Sequence, residues 1–382
     1  MDADVTPFRV EIPQAQLDDL RERLARTRWP ERETVDDWSQ GIPLAYVREL
    51  CEHWRERYDW RRAEARLNAI PQVRMRLDGL AIHVLHARSP HAGALPLLLT
   101  HGWPGSVVEF LDVIGPLTDP PAHGGDARDA FHVVAPSLPG FGFSDKPAAP
   151  GWGDERIARA WAQLMARLGY ERYGAQGGDW GAVVTMRLAQ LDAEHLAGIH
   201  LNMPRAAPAA LKALGELTAA EQAALDTLRH YRRWEAGYST QQATRPQTLG
   251  YGLVDSPAAQ CAWIVEKFFA WTDCDGHPEN AVARDVLLDN VMLYWLPATG
   301  ASSARLYWES FYDQELAPID VPTGCSVFPK ELFRLSERWA RTRFGDLRHF
   351  RELDRGGHFA ALEQPAVFVD EVRSFFRTVR HA

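Results

Sequence analysis

The chain has 382 residues, 46% of them hydrophobic and 24% charged, with a formal net charge of −9. These are ordinary globular proportions, so intrinsic disorder and fibrous structure are excluded. Only four of its basic residues are lysines (Lys146, Lys212, Lys267 and Lys330), and no basic block occurs, which leaves nucleic-acid binding without support.

Residues 1–70 read as a helical preface. Leu17, Leu20 and Leu24 recur at helical spacing, as do Leu44, Val47, Leu50, Cys51 and Trp54. The N-terminus has neither a basic nor an apolar leader region and reads as no signal peptide. From residue 71 the pattern changes to strands. Segments 73–77 and 81–86 flank Asp78-Gly79, a two-residue hairpin signal, and the apolar run 95–99 suits a strand buried on both faces. That run is too short to span a bilayer. Strands at 131–135, 172–175 and 198–202 alternate with helices at 107–117, 157–168 and 182–191. The expected fold is therefore α/β, a mainly parallel twisted sheet flanked by helices, with a hairpin at its start.

The alternation stops at 204. Helical segments at 211–237, 258–271 and 286–295 make an all-helical lid over 204–320. Strands at 322–328 and 347–353 and a helix at 364–379 complete a core made of 71–203 and 321–382. The four cysteines, Cys51, Cys261, Cys274 and Cys325, are far apart in sequence, so no disulfide framework is expected and a reducing, cytoplasmic setting fits.

Gly177-Gly178-Asp179-Trp180-Gly181, between a strand and a helix, has the form of a nucleophile elbow with aspartate at its tip. Alone, it reads equally as an Asx turn. An elbow needs an acid and then a histidine after later strands. His358, in Gly356-Gly357-His358-Phe359, follows the last strand, and Glu331 follows the one before it. Asp320 and Asp354 are weaker choices for the acid. Backbone N–H groups of Trp103 and Trp180 are placed to form an oxyanion hole, since Pro104 has no N–H to give. Asp273-Cys274-Asp275-Gly276 begins like a calcium loop, but Pro278 and Arg284 occupy its glycine and glutamate positions, so no metal is expected.

These stretches resemble the α/β-hydrolase-fold epoxide hydrolases, in particular the microsomal and juvenile-hormone branch. The resemblance runs nearly end to end. It rests on Phe8-Arg9-Val10-Glu11-Ile12-Pro13, Thr27-Arg28-Trp29-Pro30, His101-Gly102-Trp103-Pro104-Gly105-Ser106, residues 137–144, the elbow, Gln242-Ala243-Thr244-Arg245-Pro246, Val291-Met292-Leu293-Tyr294-Trp295 and residues 356–361. It implies that 1–70 wraps around core and lid. Mammalian microsomal members carry a membrane anchor before that segment; this chain is expected to lack one and to be soluble. The resemblance further implies that Asp179 attacks an epoxide carbon, His358 oriented by Glu331 activates water, and two lid tyrosines bind the epoxide oxygen.

By motif those tyrosines are Tyr238 and Tyr307, with Tyr231, Tyr251, Tyr294 and Tyr312 as competitors. The product would be a vicinal diol, no cofactor would be required, and a homodimer is within the family's range. The expected substrate is a bulky apolar or aromatic epoxide held by Trp103, Phe141, Phe143 and Trp180. The rivals are a haloalkane dehalogenase, which would want halide-holding Trp or Asn side chains, and a non-catalytic ligand-binding protein, which would carry a damaged triad.

Overall fold

Apolar strands and amphipathic helices assemble around one nine-stranded sheet in the order β1-β2-β3-β5-β4-β6-β7-β8-β9. The structure is a computed structural model and describes residues 5–311 and 316–380, so Tyr312 lies outside the described residues. The strands are β1 (Val5–Phe8), β2 (Gln72–Leu77), β3 (Leu80–Ala87), β4 (Leu95–Thr100), β5 (Phe131–Pro136), β6 (Tyr173–Gly177), β7 (Leu196–Leu201), β8 (Thr323–Val327) and β9 (Leu347–Glu352). The first three and β5 pair antiparallel, and every pair from β5 to β9 is parallel. Asp78 and Gly79 join β2 to β3 with φ of 46° and 87°, the two left-handed positions that a type I′ hairpin needs. Strand β1 went unread in the sequence: four residues with a proline, at the sheet edge, carry no alternation to detect.

The first three helices are α1 (Gln14–Ala25), α2 (Leu44–Glu56) and α3 (Trp60–Asn68). In the core, α4 (Leu111–Thr118) follows the 3-10 turn Val107–Phe110, and α5 (Asp154–Arg167) and α6 (Asp179–Leu191) follow in turn. After α6 the segment expected as a lid carries α7 (Pro208–Lys212), α8 (Ala219–His230), α9 (Gly237–Thr244), α10 (Pro246–Asp255), α11 (Pro257–Trp271), α12 (Arg284–Trp295) and α13 (Gly300–Ser310). Then come α14 (Glu337–Ala340), α15 (Ala360–Glu363) and α16 (Pro365–Arg377).

The final helix beds on the sheet because three strands offer glycine beneath it. A Cβ at Gly174 would lie 2.3 Å from Phe376, and at Gly198 or Gly324 within 2.9 or 2.5 Å of Phe375. The single helix expected over 211–237 is broken. Thr218 and Glu221 form a capping box that starts α8 afresh, and a π-helical turn, Tyr231–Glu235, precedes α9.

Helix α12 is buried over eight consecutive residues, Leu287 to Tyr294, so its polar members need partners on every side. The preface supplies several of them. Tyr58 donates to Asp289 Oδ1 at 2.7 Å, Trp54 Nε1–H reaches Met292 Sδ at 3.3 Å, and His53 lies 2.6 Å from Asp285. Trp38 stacks on Phe269 of α11 at 3.9 Å and 6°. Residues 14–68 therefore bear on α11 and α12.

Burial raises the Asp289 carboxyl to about 6, and the Tyr58 hydroxyl is the group that opposes this most. Replacing Tyr58 with Phe should cost about 1–3 kcal/mol by leaving that carboxylate short of a donor. Urea unfolding of the two proteins measures the loss, and equal midpoints would contradict it.

Candidate active site

The elbow is shaped by close packing at its two outer glycines. A Cβ on Gly177 would lie 2.2 Å from the Gly181 carbonyl oxygen, and one on Gly181 would lie 1.8 Å from that of Thr100. Gly178 meets nothing closer than 3.8 Å. Between them Asp179 takes a left-handed φ of 49°, an uncommon conformation for a residue with a side chain. The turn sets the carboxylate at the start of α6, where the helix dipole favours an anion. Its Oδ1 accepts the Trp103 N–H at 2.8 Å. Gly102 makes that approach feasible, because a Cβ there would stand 2.1 Å from the same oxygen. Trp180 is the second residue of α6, in the first turn, where N–H groups have no intrahelical acceptor.

The loop carrying Trp103 is fixed from both sides. Buried His101 donates through Nδ1 to the Gly102 carbonyl at 2.9 Å, and its Nε2 accepts the Leu138 N–H at 3.2 Å. Burial lowers its pKa to about 4, which keeps the ring neutral for this paired role. From the lid, Asn290 Nδ2 donates to Pro104 O at 2.8 Å and Ser106 Oγ donates to Asn290 Oδ1 at 2.7 Å. Tyr294 donates to Gly105 O at 2.6 Å, which occupies that tyrosine with the backbone.

His358 reaches the carboxylate from the opposite loop. Its Nδ1–H donates to Glu331 Oε1 at 2.8 Å, and that oxygen also accepts the Leu332 N–H at 2.6 Å. The other nitrogen, Nε2, lies 3.2 Å from Asp179 Oδ2 but lacks hydrogen-bond alignment. Gly356 has φ of 93°, and a Cβ at Gly357 would meet the Trp271 carbonyl at 2.4 Å; that carbonyl accepts the His358 N–H at 2.9 Å. Two glycines before the histidine thus let the loop lie against the end of α11. Burial disfavours the imidazolium, yet the Glu331 and Asp179 carboxylates outweigh it and hold His358 well above its ordinary pKa.

Tyr238 and Tyr307 converge from α9 and α13, with hydroxyl oxygens 3.4 Å apart. Their rings rest on the residues flanking the carboxylate. Tyr238 stacks on Trp103 at 4.8 Å, and Tyr307 meets Trp180 edge-on at 4.9 Å. Burial raises both phenols well above 10, so both stay protonated. Tyr231 joins them, its hydroxyl 3.1 Å from that of Tyr238, whereas Tyr251 is 71% exposed and remote from the cluster.

Of the two phenylalanines expected to line the pocket, Phe141 lies edge-on to His101 and Tyr294 and so packs behind the loop. Phe143 does not join the site: it packs on Phe8 and His83, because β1 brings Phe8 to that side of the sheet. Lys267 and Trp271, one turn apart on α11, also reach the site, though no motif marks them. Trp271 lies edge-on to His358 at 5.1 Å, and Lys267 Nζ sits 4.7 Å from the Tyr238 ring centre. A lysine in an apolar helix of an arginine-rich chain was the available signal. Among the described residues no three His, Cys, Asp or Glu side chains gather as a metal site, and no helix is long and apolar enough to cross a membrane.

Residues 5–110 match the family described as "Epoxide hydrolase N terminus", and residues 96–237 match the one described as "alpha/beta hydrolase fold". A Stigmatella aurantiaca protein bearing an epoxide hydrolase name is 58% identical over 377 residues, 98% of this chain and 86% of that one. Epoxide hydrolase 1 of Sus scrofa is 34% identical over 403 residues, 98% of this chain and 89% of that one. The crystal structure of juvenile hormone epoxide hydrolase from the silkworm Bombyx mori superposes with a TM-score of 0.92 at 31% identity, covering 100% of this chain and 96% of that one.

The Asp179 charge is one of the causes that keep His358 protonated. Replacing Asp179 with Asn should therefore lower the histidine pKa. An NMR titration of the imidazole measures it, and an unchanged midpoint would refute the coupling.

Proposed function

The chain belongs to the epoxide hydrolase family of the α/β-hydrolase fold, and within that activity we propose that Asp179 opens the epoxide by forming an ester with one ring carbon. An ionised carboxylate can attack without a base to deprotonate it. Its hydrogen bond with Trp103 leaves Oδ2 as the attacking atom. As the C–O bond breaks, the developing alkoxide takes a proton from the Tyr238 and Tyr307 pair.

Ester formation removes the Asp179 charge, and with it part of what holds the His358 imidazolium. The proton that His358 then gives up passes to the phenolate, which restores both phenols and leaves a neutral imidazole. That imidazole, oriented by Glu331, accepts a proton from water as the water oxygen adds to Cγ of Asp179. The resulting oxyanion lies against the N–H groups of Trp103 and Trp180. Collapse releases a vicinal diol.

The observation carrying this reading is the single carboxylate that is hydrogen-bonded to Trp103 N–H, lies 3.2 Å from His358 and is flanked by two tryptophans on which the paired phenols rest. The surrounding surface, from Trp103, Trp180, Trp271, Tyr238 and Tyr307, is aromatic and favours a neutral apolar or aromatic epoxide.

Single turnover of excess enzyme in ¹⁸O-water should place the label in Asp179 and leave the first diol unlabelled; label in that diol would eliminate the ester. Replacing Tyr238 and Tyr307 together with Phe should lower kcat/KM by about 10²–10⁴-fold with an unaltered circular dichroism spectrum. Retained turnover would remove the phenols from the mechanism. The kcat profile should fall on the acid side, because protonated His358 in the ester cannot accept a proton from water. A rate constant down to pH values near 4, the ordinary carboxylate range, would contradict that assignment.

A further inference from the structure

Beside the nucleophile lies a cavity of about 20 Å³ whose walls include Thr100, Glu109, Gln176, Asp179, Asn202 and His358. All its lining residues belong to the core; neither lid tyrosine contributes. A water molecule needs roughly 10–15 Å³ measured this way, so the space suits one water and no epoxide. Its lining is mostly apolar but carries several polar atoms. Thr100 Oγ1, Gln176 Oε1, Asn202 Nδ2 and His358 Nε2 are buried without a hydrogen-bond partner, and the first three residues are only 1%, 1% and 3% exposed. Buried polar atoms of this kind are normally satisfied by ordered water.

Glu109 reaches this cavity from the turn before α4. Its carboxyl occupies the space beside Gly105, where a Cβ would lie 1.6 Å from Oε1. Gly105 thus leaves room for the glutamate's head group. Burial raises Glu109 to about 8, with His358 drawing it down and Asp179 pushing it up, so it is neutral at neutral pH.

We propose that this cavity seats the hydrolytic water and that Glu109 holds it there, its carbonyl oxygen accepting one water hydrogen while the other points to His358 Nε2. The inference rests on the aspartyl-ester reading and concerns only its second step. The water oxygen bonds to Cγ of Asp179, and one proton passes to His358. The bond from Cγ to the substrate-bound oxygen breaks, and that oxygen takes the proton from His358. The second water proton, released as Asp179 ionises, returns to His358 and restores the resting pair. Water and epoxide then have separate compartments on one carboxylate.

The test follows the two steps separately by rapid quench and intact mass with styrene oxide, comparing wild type, Glu109→Leu and Glu109→Gln. Ester formation should stay within about twofold in both variants. Hydrolysis should slow by about tenfold or more in Glu109→Leu, with ester accumulating, and Glu109→Gln, which keeps a neutral carbonyl acceptor, should recover most of the rate. Unchanged hydrolysis in Glu109→Leu, equal slowing of both steps, or a Gln variant no better than Leu would overturn the proposal. Absence of a mass adduct both in the wild type and in a His358→Gln variant made to stall hydrolysis would instead bring down the ester reading, and this inference with it.

Discussion

Asp179 stands at a φ of 49° with its carboxylate 2.8 Å from the Trp103 amide, and most of the site can be traced to keeping it there. The left-handed turn lifts the side chain off the end of β6. The Trp103 N–H then fixes one oxygen, so the other is left toward the histidine. The surrounding glycines follow from sterics alone: Gly177 and Gly181 let the elbow close on itself and on β4, and Gly102 clears the carboxylate. A methyl group at Gly102 would overlap the Asp179 carboxylate itself, so its requirement is about space near the charge and owes nothing to left-handed backbone.

That contact is only as firm as the loop behind Trp103, and the loop is held from outside the core. Asp289 and Asn290 are neighbours on α12. The first receives Tyr58 from the N-terminal helices, and the second binds both Pro104 and Ser106 of the loop. Helix α12 therefore links the preface to the loop carrying Trp103 through two adjacent side chains. The preface contributes no reacting group, yet removing it would take Tyr58 from Asp289 and Trp54 from Met292. Its 5–110 match to an epoxide hydrolase segment agrees with a part integral to this architecture.

The core was readable because its signals are local. Strand and helix periods, the Asp78-Gly79 turn and the elbow glycines all act within a few residues, and the chain order of Asp179, Glu331 and His358 needs no distances. What stayed hidden depends on tertiary neighbours. Strand β1 is an edge piece stabilised by pairing with β2. Phe143 looked like a pocket residue because Phe141 and the site loop are close in sequence, but Phe8 and His83 claim it. Only the resemblance of their motifs raised Tyr238 and Tyr307 above Tyr294, and the hydroxyl positions are tertiary facts: Tyr294 lies on the Gly105 carbonyl and Tyr307 beside Tyr238. Glu109 gave no sign at all, since a glutamate near a helix start normally reads as a dipole complement.

The burial of the site also constrains its charges. In the resting site Asp179 and Glu331 face one histidine, and the imidazolium is held well above its ordinary pKa despite complete burial. A histidine so held would be useless as a base while Asp179 is ionised. On the proposed mechanism it is not needed then: the base is required only once Asp179 has become a neutral ester, when one of the two opposing charges is gone. The phenols follow a matching logic. Burial holds them protonated in the resting enzyme, and the negative charge they acquire during ring opening appears as the one on Asp179 disappears. Charge is thus relocated across a few ångströms of low-dielectric interior and its net amount stays constant, which avoids the desolvation cost of adding an unpaired ion. Glu109, kept neutral near His358, obeys the same restriction, because a third carboxylate charge would hold the imidazolium in place when the ester needs a free base.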